Sequence, residues 1–332
     1  MKDPILKTGW ERTEQHLELT LAEAQTLITH HTSEALQSVT LLTNGCGNTN
    51  YKATLKNGHS LVIRIYQRQP SALTKEVGIH QLVHTVLPVP EIYYADPSCT
   101  HYPHPYTLTE CIDGALMRDF LFTSDEASMT AVMREAGEYL NILRSMKLPI
   151  GGFFDEQMQI KPFEPEDEYF NYITQLLQHE NVKKNLGRNL HQSVLDLVSQ
   201  CSHLFPQIND ANLTHADFDP GNILVNQVSG NWQVAGILDW EFSHAGSYLL
   251  DIGSMLRYSH KLPAYFETSF ISGIEESGLA LPSDWKKQSQ MLNLLCLTQL
   301  LQANSTGDRP YMCRDIVRLI QRIVQTLPDH HK

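Results

Sequence analysis

The spacing of apolar residues changes character once along this sequence. Between about residues 37 and 112, apolar residues form short strand-like runs, namely Val39–Thr43, Asn50–Leu55, Leu61–Tyr66, Ile92–Tyr94 and Tyr106–Glu110. From about residue 114 onward they recur at the 3.6-residue spacing of helices that bury one face. Strands in one part of a chain and helices in the next are typical of the α+β class, so we expect that class here.

The first part of the chain also contains signals for helices and a turn. Thr20–Glu23 forms a capping-box pattern, which predicts a helix running towards Leu36. Asn57-Gly58 predicts a hairpin turn between two of the strand-like runs. A further helix is expected from about Ser71 to Thr85. Together these signals predict a small antiparallel sheet with one main helix, preceded by an N-terminal helix.

The second part of the chain is predicted to be mostly helical. Apolar stripes indicate helices over Met129–Leu143, Leu190–Cys201, Asp284–Gln302 and Ile316–Leu327. We expect the helical pattern to be interrupted once, by a polar loop from Thr214 and the hairpin that follows it. The predicted organisation is therefore an N-terminal lobe of residues 1–112 and a larger C-terminal lobe of residues 113–332.

The charge balance narrows the classes of partner. The chain has 332 residues, with 25 Lys and Arg against 37 Asp and Glu, which gives a net charge of −12. Proteins that bind nucleic acids usually carry a basic face, so we expect no nucleic-acid partner. No run reaches the roughly 18–20 apolar residues that a membrane-spanning helix needs, so we expect no membrane partner either.

The cysteines and histidines indicate neither disulfide bonds nor a metal site built from these residues. The six cysteines contain no C-x-x-C pair and indicate buried thiols rather than a disulfide framework or a zinc site. His80 and His84 have metal-ligand spacing on a helix, but no acidic residue accompanies them, so we expect no metal there. The N-terminal residues lack the apolar core of a signal peptide, and we predict a cytoplasmic location.

The loop that opens the hairpin carries the residues best suited to chemistry. The stretch THADFDPGNILV contains Asp217 and Asn222, and the hairpin ends at Asp239 in GILDWE. Because paired strands return to the same level, we expect these three side chains to lie together. A carboxamide and a carboxylate suit Mg²⁺, while the other carboxylate would orient a hydroxyl and accept its proton. Ordinary turn formation is the alternative interpretation of Asp and Asn before a strand.

The order of these residues resembles the catalytic loop of the protein-kinase-like superfamily. His215-x-Asp217-x-x-x-x-Asn222 followed by Asp239 matches its pattern, and HADFDPGNILV…GILDWE is similar to the aminoglycoside phosphotransferase and choline kinase branch. Protein kinases have Arg where Ala216 stands, and they have an Ala-Pro-Glu motif that we do not find in this sequence. The resemblance therefore favours a small-molecule kinase over a protein kinase.

The resemblance implies a two-lobed kinase-like fold that uses ATP and Mg²⁺ to phosphorylate a small-molecule hydroxyl. It implies catalytic positions at Asp217 and His215, of which His215 is expected to organise the loop, and a magnesium site at Asn222 and Asp239. It places a nucleotide site at Gly45, Gly47, Asn48, Arg64, Glu76, Glu110 and Ile112. In this set Arg64 stands where the family has a phosphate-anchoring Lys, Glu76 is its acidic partner, and Glu110 with Ile112 belongs to the adenine-binding hinge.

Several matters stay open at the level of sequence, including whether the nucleotide is ATP, the default expectation, or GTP. The acceptor could be an aminoglycoside, a choline-like amine, homoserine, a sugar or another alcohol. It would be cationic if the acidic run Glu164–Phe170 bound it rather than only facing solvent. Asp219 is expected to form a local turn, with metal or substrate contact as the alternative, and Asp251 is expected to brace the loop. The chain could be a monomer or a homodimer. The missing Lys also keeps open a nucleotide-binding pseudokinase with a regulatory role.

Overall fold

The N-terminal elements form an antiparallel sheet with two helices. The structure is a computed structural model and describes residues 5–12, 14–43, 47–67, 70–276, 278 and 280–327. The sheet has the strand order β1-β2-β3-β5-β4. The elements are α1 (Leu21–Ile28), β1 (Leu36–Leu42), β2 (Thr49–Leu55), β3 (Ser60–Ile65), α2 (Pro70–Val83), β4 (Ile92–Asp96) and β5 (Tyr106–Glu110).

Local sequence explains most of these elements. Thr20 caps α1 and forms the predicted capping box with Glu23. Gly58 adopts a φ of +91° in the turn between β2 and β3, a conformation that glycine reaches without steric cost. Helix α1 ends at Ile28, well before Leu36, because the residues that follow offer no further apolar face. His30 and His31 there stack on Tyr94 and Tyr93 of the sheet instead.

The C-terminal elements are mostly helical, as predicted. The helices are α3 (Met117–Phe120), α4 (Glu126–Ser145), α5 (Tyr169–Leu176), α6 (Glu180–Gln200), α7 (Leu249–Met255), α8 (Ala264–Glu275), α9 (Trp285–Ala303) and α10 (Pro310–Thr326). The strands are β6 (Ala115–Leu116), β7 (Lys147–Leu148), β8 (Gly152–Phe154), β9 (Ile160–Pro162), β10 (Ala211–Thr214), β11 (Ile223–Val228), β12 (Asn231–Ile237) and β13 (His244–Gly246).

The expectation of a single interruption in the helical part was wrong. Strands β11 and β12 form the predicted hairpin, and β6 pairs with β11. A second sheet, with the order β7-β10-β13-β8-β9, also lies among the helices. Its strands contain two to four residues each, which is too short to show an alternating pattern in the sequence. This sheet matters for function because β10 leads directly into the polar loop at His215.

The first described residues pack against the C-terminal part rather than against the neighbouring sheet. Leu6 is buried in the same apolar cluster as α4, α7 and α9, and Trp10 packs against that cluster. The Trp10 indole donates to Asp315 of α10 at 2.9 Å. The Glu11 carboxylate accepts the backbone N–H groups of Tyr311 and Met312, which lie in the first turn of α10. Residues 5–12 are called the N-terminal strap below.

Among the described residues, no helix is both long enough and apolar enough to cross a membrane.

Candidate active site

The hairpin of β11 and β12 brings the two ends of the predicted site together. Ile223 pairs with Ile237, so the residues just outside the hairpin are neighbours. The backbone N–H of Leu238 donates to the carbonyl of Asn222 at 2.8 Å. Asp239 follows immediately, with a φ of +68° that Asp tolerates better than most residues. Asn222 and Asp239 therefore lie at the same end of the ribbon, as their spacing predicts.

Asp251 fixes the shape of the loop before the hairpin. Its carboxylate accepts the backbone N–H of His215 at 2.9 Å and that of Ala216 at 2.8 Å. Ala216 has a φ of +70°, which an alanine seldom adopts without such support. Burial raises the pKa of Asp251 to about 7, although these donors act in the opposite direction. The predicted bracing role of Asp251 is confirmed by these hydrogen bonds.

The His215 ring is occupied by backbone partners. Its Nε2 lies 2.9 Å from the carbonyl of Leu238, and its Nδ1 accepts the backbone N–H of Asp217 at 3.2 Å. This pattern requires the neutral tautomer that carries its proton on Nε2. Burial lowers the pKa of His215, which favours the same neutral form. His215 therefore joins the loop to the hairpin and is not arranged as a proton shuttle.

Asp217 receives donors on both carboxylate oxygens. The Asn222 amide nitrogen lies 2.9 Å from Asp217 Oδ2, and Lys7 Nζ lies 2.6 Å from Asp217 Oδ1. Burial alone would raise the pKa of Asp217, but the charge of Lys7 outweighs it and lowers the pKa to about 2. The Asp217 side chain keeps 24% of its surface exposed, so the carboxylate remains accessible from one direction.

Lys7 is a site residue that sequence reasoning missed. Its ammonium also pairs with Asp219, whose other oxygen accepts the N–H of Gly221 in the expected local turn. Burial lowers the pKa of Lys7, yet the two carboxylates hold it above its ordinary value. Lys7 and Asp217 are 210 residues apart, so no local spacing could have indicated the contact.

Arg64 lies at the centre of a partly buried ion-pair group that joins the two parts of the chain. Its Nε is 3.3 Å from Glu76 Oε2, and its Nη2 is 2.6 Å from Asp239 Oδ1. Glu241 Oε2 lies 3.7 Å from the same Nη2 atom. Burial is the largest influence on Glu76 and raises its pKa, with Arg64 acting against it. The structure thus joins β3, α2 and the end of β12 through one cation.

Glu241 was also missed as a site residue. Its carboxylate accepts the side-chain N–H of Asn48 at 2.8 Å, which ties the segment before β2 to the end of the hairpin. Burial and the nearby Asp239 raise the pKa of Glu241 to about 7. The only sequence signal was its position two residues after Asp239.

The segment before β2 is held by the N-terminal strap. Arg12 Nη2 donates to the carbonyls of Gly47 and Asn48 at 2.9 and 2.8 Å. Gly45 was also predicted in this segment, but it lies outside the described residues. Both Gly47 and Asn48 are buried, and the Asn48 side chain contacts the ion-pair group at Glu241.

The predicted hinge follows β5. The backbone N–H of Glu110 donates to the carbonyl of Glu91 at 2.8 Å, and Ile112 packs over Gly236 of β12. Both residues border a cavity of about 510 Å³. Glu110 and Ile112 therefore lie where the N-terminal sheet meets the C-terminal part.

Asn222 and Asp239 offer the kinds of oxygen atom that could hold a magnesium ion. Because the Asn222 amide nitrogen donates to Asp217, its oxygen is the atom left for a cation. Asp239 supplies a carboxylate that is 29% exposed. Mg²⁺ takes few protein oxygens and completes its octahedron with waters and phosphates. Among the described ranges, no cluster of three His, Cys, Asp or Glu side chains offers a metal site on its own.

Comparison with known proteins identifies the family. A model of the phosphotransferase enzyme family matches residues 38–283, which is most of the chain and includes the whole site except the strap. The chain belongs to the phosphotransferase enzyme family. No curated protein sequence matches it.

Solved structures of phosphotransferases share the fold of this family member. The GDP complex of aminoglycoside 2′-phosphotransferase-IIIa has a TM-score of 0.70 at 15% identity, covering 93% of this chain and 99% of the other. A thermostable mutant of APH(4)-Ia in a ternary complex with AMP-PNP and hygromycin B has a TM-score of 0.63 at 17% identity, covering 91% and 98%. At these identities the likeness establishes the fold, and the predicted two-lobed kinase-like α+β class is confirmed.

Proposed function

We propose that this protein transfers the γ-phosphate of ATP, with Mg²⁺, to a hydroxyl group of a small molecule. The observation that carries the proposal is the group formed by Asp217, Asn222 and Asp239, with Arg64 facing it from the N-terminal sheet. Phosphoryl transfer needs positioning and charge stabilisation more than covalent chemistry from the protein, and this group supplies both. Two solved neighbours were determined with GDP or AMP-PNP, which supports nucleotide use.

Nucleotide binding would use the face between the two parts of the chain. Arg64, oriented by Glu76, would anchor the phosphates, since a guanidinium binds phosphate in a forked geometry. Gly47 and Asn48, with Gly45, would cover the phosphates, and the backbone at Glu110 and Ile112 would bind the adenine edge. These roles would give a nucleotide-binding lobe within residues 1–112 and a catalytic and acceptor-binding lobe of residues 113–332, with the N-terminal strap packed on the second lobe.

The magnesium ligands would be Asn222 and Asp239. When bound, the ion would neutralise phosphate charge that a group of buried carboxylates would otherwise repel. Arg64 now pairs with Asp239, so it can hold that carboxylate in place until the phosphates compete for the guanidinium.

Asp217 would orient the acceptor hydroxyl. The Asn222 amide fixes one of its oxygens, so its direction is set before the acceptor binds. His215 would position the loop without exchanging a proton. The acceptor remains a small alcohol, cationic if the acidic run Glu164–Phe170 contributes to binding, and the active unit would be a monomer or a homodimer. The hygromycin B complex of APH(4)-Ia supports a small-molecule acceptor.

A panel of amino alcohols, sugars and aminoglycosides assayed for ADP release with Mg²⁺ tests this proposal. With an accepted substrate, Asp217→Asn should lower kcat by about 100-fold or more while nucleotide affinity stays near that of the wild type. Asp196→Asn on the exposed face of α6 is the matched control. An unchanged kcat in Asp217→Asn would contradict the role of Asp217 in orienting the acceptor hydroxyl.

A regulatory nucleotide-binding protein is the second candidate, because Arg64 occupies the place of the usual Lys. It predicts nucleotide binding with no transfer to any acceptor. Slow ATP hydrolysis that depends on Mg²⁺ and is lost in Asp239→Ala would favour the enzyme. Binding without hydrolysis, unchanged by the same substitution, would favour the regulatory protein.

A further inference from the structure

The N-terminal strap places a cation directly beside the carboxylate that orients the acceptor. Lys7 Nζ contacts Asp217 Oδ1 at 2.6 Å and also pairs with Asp219. The family match begins only at residue 38, so Lys7 lies outside the region that defines the family. Its contact with Asp217 is therefore a feature of this chain that the family match does not explain.

The strap is anchored on both sides of Lys7. On one side Leu6 is only 4% exposed and packs within the C-terminal core. On the other side Trp10 bonds to Asp315, and the Glu11 carboxylate accepts the first N–H groups of α10. Arg12 then donates to the carbonyls of Gly47 and Asn48. These contacts make the strap part of the folded core rather than a loose tail that enters the site occasionally.

The backbone at Lys7 is held in an unfavourable conformation. Leu6 and Lys7 have φ angles of +53° and +61°, a region that non-glycine residues seldom occupy. Such conformations persist where the surroundings enforce them, and they cluster at functional sites. Here the consequence is that the Lys7 side chain reaches Asp217 and Asp219.

Lys7 can stay in place while an acceptor binds. A carboxylate has about four acceptor sites, and two donors now use Asp217, one on each oxygen. The side chain is still 24% exposed, so a hydroxyl can reach it without displacing the ammonium. Occupation of Asp217 by Lys7 is therefore compatible with catalysis.

Charge explains why a cation is useful at this position. Asp219 is buried and Asp217 beside it is partly buried, and an incoming phosphoryl group would add further negative charge next to both carboxylates. Fixed cations aimed at developing charge are a main source of catalysis in phosphoryl transfer. The ammonium of Lys7 offsets one of the two carboxylates, and a hydroxyl oriented by Asp217 would bind beside it.

We propose that Lys7 is a catalytic residue of this phosphotransferase, supplied by the N-terminal strap, which contacts the transferred phosphoryl group while bound to Asp217 and Asp219. This inference rests on the proposed function. It assigns a role to residues before the family region, and it predicts that the strap is required for turnover.

The test compares Lys7→Met, Lys7→Arg and the control Lys147→Met with an accepted substrate. Lys147 is an exposed lysine that pairs with Asp210 at 2.6 Å, so its removal tests only the loss of a surface charge. Lys7→Met should lower kcat at least about tenfold and change the KM for nucleotide less than about twofold, because the ammonium acts mainly on the charge of the phosphoryl group during its transfer. Lys7→Arg should recover most of the loss, since it restores the charge. An unchanged kcat in Lys7→Met would overturn the proposal, and a raised kcat would show instead that Lys7 is an inhibitory occupant.

A second readout does not depend on turnover. Brief acylation of the wild-type protein, followed by mass spectrometry, should modify Lys7 much more slowly than Lys147. The Lys7 ammonium is paired with two carboxylates and its side chain is 20% exposed, against 58% for Lys147. Asp219→Asn should speed the modification of Lys7 and leave that of Lys147 unchanged. Equal rates of modification at Lys7 and Lys147 in the wild type would contradict the contact of Lys7 with Asp217 and Asp219. The wild-type protein could instead protect Lys7 from acylation but transfer no phosphate to any acceptor. That result would refute both the proposed function and the catalytic role of Lys7, but it would leave the contact of Lys7 with Asp217 and Asp219 intact.

Discussion

Neighbouring charges give the acidic residues of this site different properties. Lys7 lowers the pKa of Asp217 to about 2 against the effect of burial, whereas burial and Asp239 raise the pKa of Glu241 to about 7. Asp217 is then ionised throughout the physiological range, but it is a weak base. That combination suits a loose phosphoryl-transfer transition state, in which the hydroxyl must be aligned and needs little proton removal before the transfer. The ionised state of Asp217 is therefore set by a residue far away in sequence.

A buried histidine outside the site predicts acid sensitivity. His244 of β13 is almost fully buried beside Phe153 and Phe163, and burial lowers its pKa from 6.5 to about 4. The unfolded chain takes up a proton on His244 below about pH 6.5, whereas the folded chain does so only near pH 4. The free energy of unfolding should therefore fall as the pH drops through this window, with a contribution from His244 of up to about 3 kcal/mol. Urea unfolding of the wild type and of His244→Phe between about pH 6.5 and pH 4 measures this contribution. The free energy of unfolding of the variant should depend less steeply on pH.

His203→Phe is the control for this comparison, because His203 is exposed. Some pH dependence should remain in His244→Phe, since burial also lowers the pKa of His215. Identical slopes for the wild type and His244→Phe would contradict the assignment of the acid sensitivity to His244.

The part of the site that the sequence predicts is the part built by local geometry. Asn222 and Asp239 meet because a hairpin joins them, and Asp251 braces a loop whose spacing already indicated its function. Lys7 could not be predicted, because it reaches Asp217 only after the strap has packed on α10. Contacts that depend on tertiary packing leave no periodic trace in a single sequence.

At the scale of elements, length decides what a sequence can predict. Helices α4, α9 and α10 are long enough to show an apolar stripe, and each was expected close to its observed position. The five short strands of the second sheet were missed, because two to four residues do not establish an alternation.

The contact between α4 and α8 predicts a strong effect of two small substitutions. A Cβ atom added at Gly273 would lie 1.9 Å from the carbonyl oxygen of Arg134, and one added at Gly137 would lie 2.1 Å from that of Phe270. Both clashes are with backbone, which cannot move aside as a flexible side chain can. Gly273→Ala or Gly137→Ala should therefore push the helices apart and lower the free energy of unfolding by at least about 2 kcal/mol. Chemical denaturation measures the change.

Gly307→Ala provides the comparison for these variants. A Cβ atom there would meet nothing nearer than the Ser305 hydroxyl at 3.5 Å, which is ordinary contact. Its free energy of unfolding should stay within about 0.5 kcal/mol of the wild type. If Gly273→Ala changed the free energy of unfolding as little as Gly307→Ala, the contact between α4 and α8 could accept a Cβ atom. That result would contradict the predicted clash.

At the scale of the whole molecule, the two parts are joined through charged and polar contacts at the site. Arg64 pairs across to Asp239, Asn48 bonds to Glu241, and Arg12 of the strap holds the segment before β2. These links lie on the face where the nucleotide would bind. Nucleotide binding on this face should therefore stabilise the contacts between the two parts as well as the fold of each part.

A ligand that binds only the folded chain raises its stability by mass action, so nucleotide should raise the unfolding temperature. At 100 times the dissociation constant the gain is about 2.7 kcal/mol, which corresponds to a shift of several degrees. We expect this shift with ATP and Mg²⁺, and a smaller one when EDTA removes the metal. Asp239→Asn should reduce the dependence on Mg²⁺, because it replaces the only carboxylate of the proposed ligand pair, whereas Asp196→Asn should not. Each variant is compared with its own ligand-free unfolding temperature by scanning fluorimetry, which separates the loss of the Arg64–Asp239 ion pair from the loss of metal. A shift that is equally large with EDTA and with Mg²⁺ in the wild type would show that the nucleotide binds without the metal, and the assignment of Asn222 and Asp239 as its ligands would fail.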